Sequence, residues 1–523
     1  MAEYKLMQHQ KDAVDFLDRM DGVGALLFDP GTGKTGSTLA WIDKLAKTKG
    51  EVRVLVFAPL TAVDTWVLQA PKFMDSVVKA RMMQGPSTKI LKGIAQSRSW
   101  GSVVDARIAT DHKGSTASQV SGNRVTILSV SVGMLSAYCS SKEKTVELIK
   151  AVRTYKPDVM VVDESHIIKS AYSKVSAALY QIAPLAPHRI ILTGTVMPHS
   201  PFDVYGQWRF LAPWTFSHDP NPAYAAKPSR MTKADWEEVD HWSWDKFKAR
   251  YSVSSGGRGS TPFTDQTDLR NRVAVRSMVV RKEDALDLPP VTDIDIHITL
   301  SPKEQRAYDE MRKDLAAEME DGSLLTAPNA LAKIMKLRQI TAGFARDTQS
   351  EEVHEIGHTK RRAVKEVVET QLAGENRVVV FAYFRSECRM IAESLKAKGV
   401  TVEVITGATS VKDRLAIRKR FADVSGNPGK IILVAQARTM SLSVNELVTA
   451  QNAVFASLSE RRNDWVQSRD RLDRNGQEGS HVTFWNVYAP GTVDEVMLDR
   501  HKDRGDLEKA LLDHIRATPR RHP

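Results

Sequence analysis

The chain has 523 residues, 42% hydrophobic and 26% charged, which excludes wholesale disorder and gives room for about two to four domains with full cores. No apolar run approaches the roughly 20 residues of a membrane span, Met1–Lys5 lacks the apolar core of a signal peptide, and Cys139 and Cys388 are too few for a disulfide framework and sit in no metal-ligand cluster, so a reducing cytoplasmic setting is expected. A net charge of +11 and a pI near 9.4 favour a polyanionic partner such as nucleic acid, because each neutralised phosphate releases counterions.

In chain order, the first informative element is the apolar run Gly24–Phe28, followed by Asp29-Pro30-Gly31-Thr32-Gly33-Lys34-Thr35 and a helical pattern in Leu39, Ala40, Ile42 and Leu45. Strand, glycine loop and helix in that order cradle a polyphosphate, because glycines let the backbone approach it and helix-start N–H groups point at its charge. The residues that would bind the nucleotide are Gly31, Thr32, Gly33, Lys34 and Thr35. Lys34 would reach the β- and γ-phosphates, and the Thr35 hydroxyl would ligate Mg²⁺.

Further apolar runs follow at Val52–Phe57, Val125–Val130, Val159–Val162 and Ile190–Thr193, with a polar stretch at 97–123 that reads as a surface insertion. The third run ends in Asp163-Glu164-Ser165-His166. A carboxylate at the end of a core strand is placed to hold Mg²⁺, and its neighbour to polarise the attacking water; a solvated acidic helix start is the plain alternative. Proline-rich 217–230 and glycine-rich 254–262 then interrupt the pattern, and Leu288-Pro289-Pro290 reads as a rigid joint. A second block has runs at Val378–Phe381, Val402–Ile405, Ile431–Val434, Val454–Phe455 and Val482–Trp485. Runs without polar alternation suit parallel strands buried on both faces, so the fold class expected is α/β with two doubly wound parallel-sheet lobes. Near the end, Gln467, Arg471 and Arg474 would share one face if 467–477 is helical, with Gly476 at its stop; a solvated stripe and a phosphoryl-stabilising pair are both compatible with that spacing.

These motifs together resemble the Swi/Snf type of superfamily-two helicase-like ATPases, over nearly the whole chain. Leu6–Gln10 resembles the adenine-contacting Q-motif, with Gln10 as the reader. Ala58-Pro59-Leu60-Thr61 followed by Trp66 resembles motif Ia, Ser129 falls at motif Ib, Asp163–His166 resembles motif II, and Leu192-Thr193-Gly194-Thr195 resembles motif III. Tyr205–Pro213, Phe247–Tyr251, Val280–Asp284 and Leu337–Ile340 are similar to the family's helical insertions. Thr406-Gly407 with Arg414 and Phe421 resembles the segment after motif IV, and Gln467–Gln477 matches motif VI.

The resemblance implies two RecA-like lobes: residues 1–285 with a helical insertion at about 200–280, residues 286–490 with one at about 300–345, and a C-terminal helical brace at 491–523. It implies a DNA-dependent ATPase that uses ATP and Mg²⁺ and translocates along double-stranded or branched DNA, as a monomer, in a bacterial or viral setting. Catalysis would fall to Lys34, Glu164, Gln467, Arg471 and Arg474, metal binding to Thr35 and Asp163, and nucleic-acid contact to Thr61, Ser129, Thr193, Gly407 and Arg438. Motif V, usually glycine-bearing, reads Arg438–Asn445 here, and Val196 stands where motif III usually has proline. No phosphate, metal or finger residue is lost, so an active ATPase is expected. A strand-separating helicase and an ATP-switched subunit of a larger complex carry the same motifs.

Overall fold

The computed structural model describes residues 5–59, 62–83, 87–97, 122–139, 141–197, 200–217, 241–252, 265–320, 327–346, 352–425, 429–440, 446–474, 476–477 and 479–502. Thr61, Ser441–Asn445, Asn475 and the chain after 502 lie outside them, as do most of 97–123, 217–230 and 254–262. The described residues divide into two compact units, one within 1–285 and one within 286–502. None of the described helices is long and apolar enough to cross a membrane.

The first unit is built on seven strands: β1 (Val23–Phe28), β2 (Glu51–Ala58), β3 (Val77–Met83), β4 (Arg124–Ser131), β5 (Val159–Asp163), β6 (His188–Thr193) and β7 (Ser277–Val280). They lie in the order β3-β4-β2-β5-β6-β1-β7, with every neighbouring pair parallel. The apolar runs have their cause in this layering. Along β2, Leu55 and Phe57 enter the core on one face of the sheet while Val54, Val56 and Ala58 enter the core on the other. A strand covered on both sides has no solvated position, so alternation disappears. Helices α1 (Gln8–Arg19), α2 (Lys34–Lys49) and α3 (Val63–Phe73) contribute Phe16, Ile42 and Trp66 to the second of these cores.

The second unit repeats the plan with β8 (Val291–His297), β11 (Arg377–Ala382), β12 (Val400–Ile405), β13 (Lys430–Gln436), β14 (Asn452–Phe455) and β15 (Val482–Tyr488), and a separate antiparallel pair β9 (Phe344–Arg346) and β10 (Val353–Glu355). The six-stranded sheet runs β12-β13-β11-β14-β15-β8 and is parallel throughout. Val378 and Val380 face one core, Val379 and Phe381 the other. Both units are therefore parallel α/β sheets wound on two faces, and in such sheets ligands bind outside the carboxyl ends of the strands. In the first unit the motif residues after β1, β5 and β6 all leave the sheet at that edge.

Candidate active site

The phosphate loop leaves β1 and bends through Gly31 and Gly33, both in the left-handed region at φ 88° and 89°. Gly33 then caps the start of α2. A side chain at 33 would be strained by that backbone and would also collide with the Gln10 amide. The loop is tied down from both sides. Thr32 Oγ1 donates to the Asp29 carbonyl at 2.7 Å, the Asp29 N–H donates to Val280 of β7 at 2.9 Å, and the Asp29 carboxylate accepts from the Lys282 N–H at 3.0 Å. His9 donates through Nε2 to the Thr32 carbonyl at 2.7 Å. Gln10 is buried, with Oε1 accepting from the Met7 N–H at 2.9 Å and Nε2 directed at the Gly33 carbonyl at 3.5 Å. Gln10 thus couples the first helix to the loop, and His9, singled out by no sequence signal of its own, does the same one carbonyl earlier.

Lys34 folds back, its ammonium donating to the carbonyls of Phe28 at 2.8 Å and Asp29 at 3.4 Å. Ser37 and Thr38 bond back to the carbonyls of Gly33 and Lys34, as hydroxyls inside a helix usually do. The half-buried Thr35 hydroxyl has no such partner among the described residues, which leaves it available to a cation.

Asp163 closes β5 and is 7% exposed. Its Oδ2 accepts from the Trp66 indole at 2.9 Å and its Oδ1 from the Glu164 N–H at 2.9 Å. Burial, together with the charge on Glu164, pushes its carboxyl up to about 6, against the opposing pull of the Trp66 donor and the Lys34 ammonium. A buried carboxylate held at a cost beside a second carboxylate is a site that a divalent cation would relieve, so this donor set fits Mg²⁺.

Glu164 adopts a left-handed backbone, φ 50° and ψ 53°, in a residue with a full side chain. That conformation is costly for a non-glycine residue, and it falls at the position expected to orient water. His166 sits between the two motifs, its Nδ1 lying 3.2 Å from Glu164 Oε2 and 3.3 Å from Thr193 Oγ1. Thr193 is in turn locked by the Thr195 N–H and carbonyl, each at 3.0 Å. Ser165 Oγ donates to Gln207 Oε1 at 2.7 Å, and Gln207 Nε2 donates to the carbonyls of Val196 at 2.7 Å and Asp203 at 2.9 Å. Gly206 is equally specific, because a Cβ there would collide with the carbonyl oxygens of Ile168 and Lys169. The sequence signal for Gln207 is faint: one amide inside the apolar helix Val204–Leu211.

Ser129 and Thr193 are fully buried, Ser129 within β4, and Thr193 Oγ1 lies 3.3 Å from His166 Nδ1. In the second unit, the motif VI helix ends at Arg469, and Arg471 and Arg474 lie in the turns beyond it rather than on one helical face with Gln467. Leu472 is buried in the core there, and Gln477 ties the turn to the carbonyls of Ala450 at 2.9 Å and Leu472 at 3.0 Å. Gln467 is buried, and burial lowers the Arg474 guanidinium from its ordinary value, with Asp470 and Glu446 opposing that shift. Arg469, between these residues, is structural. It pairs with Asp293 and stacks over Phe484 at 4.0 Å. Gly407 and Arg438 are exposed at the carboxyl edge of the second sheet.

The family model for the SNF2-related domain matches residues 9–343, well over half of the chain. Among curated proteins, the chain is similar to the uncharacterized ATP-dependent helicase MG018 of Mycoplasma genitalium, 21% identical over 97% of this chain and 42% of that protein. It is also similar to the DNA annealing helicase and endonuclease ZRANB3 of Mus musculus, 24% identical over 94% of this chain and 39% of that protein. Among solved structures it is similar to a Sulfolobus solfataricus SWI2/SNF2 ATPase core in complex with dsDNA, at 17% identity and a TM-score of 0.39, covering 98% of this chain and 94% of that one. The chain spans about two-fifths of the length of the two curated relatives.

Proposed function

The chain belongs to the SNF2-related family, and from that premise we propose that it is a DNA-stimulated ATPase that tracks along duplex DNA. The observation that carries this reading is the chain Glu164–His166–Thr193. It links the residue that would orient the attacking water to the loop after β6 through one imidazole. An enzyme that only split ATP would have no use for a link that reports the state of its catalytic carboxylate to a neighbouring strand end.

In this reading Gly31–Thr35 cradle the phosphates, Lys34 leaves the carbonyls of Phe28 and Asp29 for the β- and γ-phosphates, and Gln10 senses adenine. Thr35 and Asp163 would hold Mg²⁺, whose charge offsets that of the phosphates. Glu164 orients water on the γ-phosphate. Gln467, Arg471 and Arg474 would stabilise the transferring group. Phosphate contact by the net-positive chain, with Gly407, Arg438 and Thr61 as candidate positions, makes the grip independent of base sequence.

The test is the ATPase rate measured in parallel without polymer and with single-stranded DNA, duplex, forked or branched DNA and RNA, beside triplex-displacement and fork-unwinding assays. Duplex stimulation with triplex displacement and no unwinding is expected. Unwinding of the fork would make the protein a helicase, and tight ATP binding without stimulated turnover would make it an ATP-switched binding subunit.

A further inference from the structure

We propose that Trp66 is a positioning residue for the metal-ligating carboxylate of Asp163, and that its indole N–H sets how firmly the site holds a divalent cation. The inference deepens the ATPase reading above and rests on it.

Each oxygen of Asp163 accepts one donor in the structure: Oδ2 from Trp66 Nε1 and Oδ1 from the Glu164 N–H, both at 2.9 Å. With one anchor on each oxygen the carboxylate plane cannot rotate freely. Each oxygen keeps a lone pair for a cation, since a carboxylate oxygen accepts about two bonds. The Glu164 N–H is fixed by the strand end itself, so the adjustable anchor is Trp66. That residue comes from α3, a separate element 97 residues away in sequence. It is 0% exposed, in the core that α1, α2 and α3 share.

If the indole only filled space, any flat ring of similar size would serve, and the hydrogen bond would be incidental. The geometry argues otherwise. Other buried indoles among the described residues, Trp208 and Trp465, leave their N–H without a hydrogen-bond partner, whereas that of Trp66 is spent on the carboxylate that ends β5. Groups that orient metal ligands act through such bonds, and their loss typically weakens metal binding about 10- to 100-fold.

The experiment compares wild type with Trp66→Phe and with a variant carrying 3-benzothienylalanine at 66, which keeps the bicyclic shape and replaces N–H by sulfur. Three quantities are read: thermal midpoint, Mn²⁺ affinity by electron paramagnetic resonance with a non-hydrolysable ATP analogue, and fluorescent-nucleotide binding in EDTA. Both variants should remain folded and bind metal-free nucleotide as wild type does, while Mn²⁺ affinity and the Mg²⁺ half-saturation of turnover worsen about tenfold. Unchanged Mn²⁺ affinity in the benzothienyl variant overturns the proposal, whatever Trp66→Phe does to folding. Equal loss of metal-free nucleotide binding overturns it as well. Failure of the ATPase reading itself is distinguishable, since wild type would then show no nucleotide-dependent Mn²⁺ site.

Discussion

Ser165 and Gln207, both fully buried, are joined by a 2.7 Å hydrogen bond from hydroxyl to amide oxygen. The same amide reaches the Val196 carbonyl at 2.7 Å. One side chain therefore spans the residue beside Glu164, the loop after β6 and a helix of the insertion. Gln207→Leu should leave the Ser165 hydroxyl and the Val196 carbonyl without partners. The expected cost is about 2–3 kcal/mol of stability with roughly a tenfold loss of kcat, read by thermal melting and steady-state kinetics. Gly206→Ala should be more damaging than Gly374→Ala, because a Cβ at 206 meets backbone carbonyls and one at 374 meets nothing within 4 Å.

Lys34→Ala and Glu164→Gln should each abolish turnover by at least ~10²-fold while DNA binding stays near wild type. Electrophoretic mobility shift beside phosphate release checks both halves. Strong loss of DNA binding in both variants would show that the site and the polymer surface are not separable.

Arg474→Ala should lower kcat by ~10³-fold or more with little change in ATP affinity, as loss of a finger does. Arg469→Ala is the contrast. That residue pairs with Asp293 and stacks on Trp465 and Phe484, so its loss should lower the melting temperature of the second unit. Near-normal hydrolysis by the folded Arg474 variant removes it from catalysis.

The Asp163 carboxyl, raised to about 6 by burial and by Glu164, must be ionised to bind a cation. Its folded value lies above the unfolded one, so the nucleotide-free protein loses this group's contribution to stability as pH rises from about 4 through 6. At limiting Mg²⁺ the pH–rate profile should therefore fall off below about pH 6. Raising Mg²⁺ should move that limb to lower pH, because metal and proton compete for the same oxygens. An acid limb indifferent to Mg²⁺ would assign it to another group.

DNA affinity should fall steeply between 50 and 200 mM salt, by roughly a decade or more, if phosphates dominate the contact. Fluorescence anisotropy at several salt concentrations measures the slope, and a flat response contradicts that mode of binding.

Much of this site was legible in the sequence, because the features concerned are local. Gly31, Gly33 and Lys34 are adjacent, and Asp163-Glu164 follow directly on a buried strand. The buried strands were legible for the same reason: Val54–Phe57 is apolar at every position when both faces are covered. The strands not anticipated are β3, β7 and β8, together with the short pair β9 and β10. In β8, Thr292, Asp293 and Asp295 interrupt the apolar pattern, as suits an edge with exposed residues. The helix stops at Arg469, short of the face that would join Gln467 to Arg471 and Arg474; periodicity does not register the turn that Gln477 ties to the carbonyls of Ala450 and Leu472. Nor could spacing reveal the hydrogen bonds of Trp66 or Gln207, whose partners lie 97 and 42 residues away.

The edge strand β8 opens the second unit in sequence yet pairs with its last strand, β15, in register from Val482–Val291 to Tyr488–His297. Its side-chain partners, such as Asp295 and Asn486, are 191 residues apart. During synthesis, Val291–His297 must therefore wait until almost the whole unit has emerged from the ribosome. Closure of this sheet should therefore come late in folding. A polypeptide cut short before Val482 would present two unsatisfied strand borders, on β8 and β14, and should clump rather than persist as a smaller active fragment.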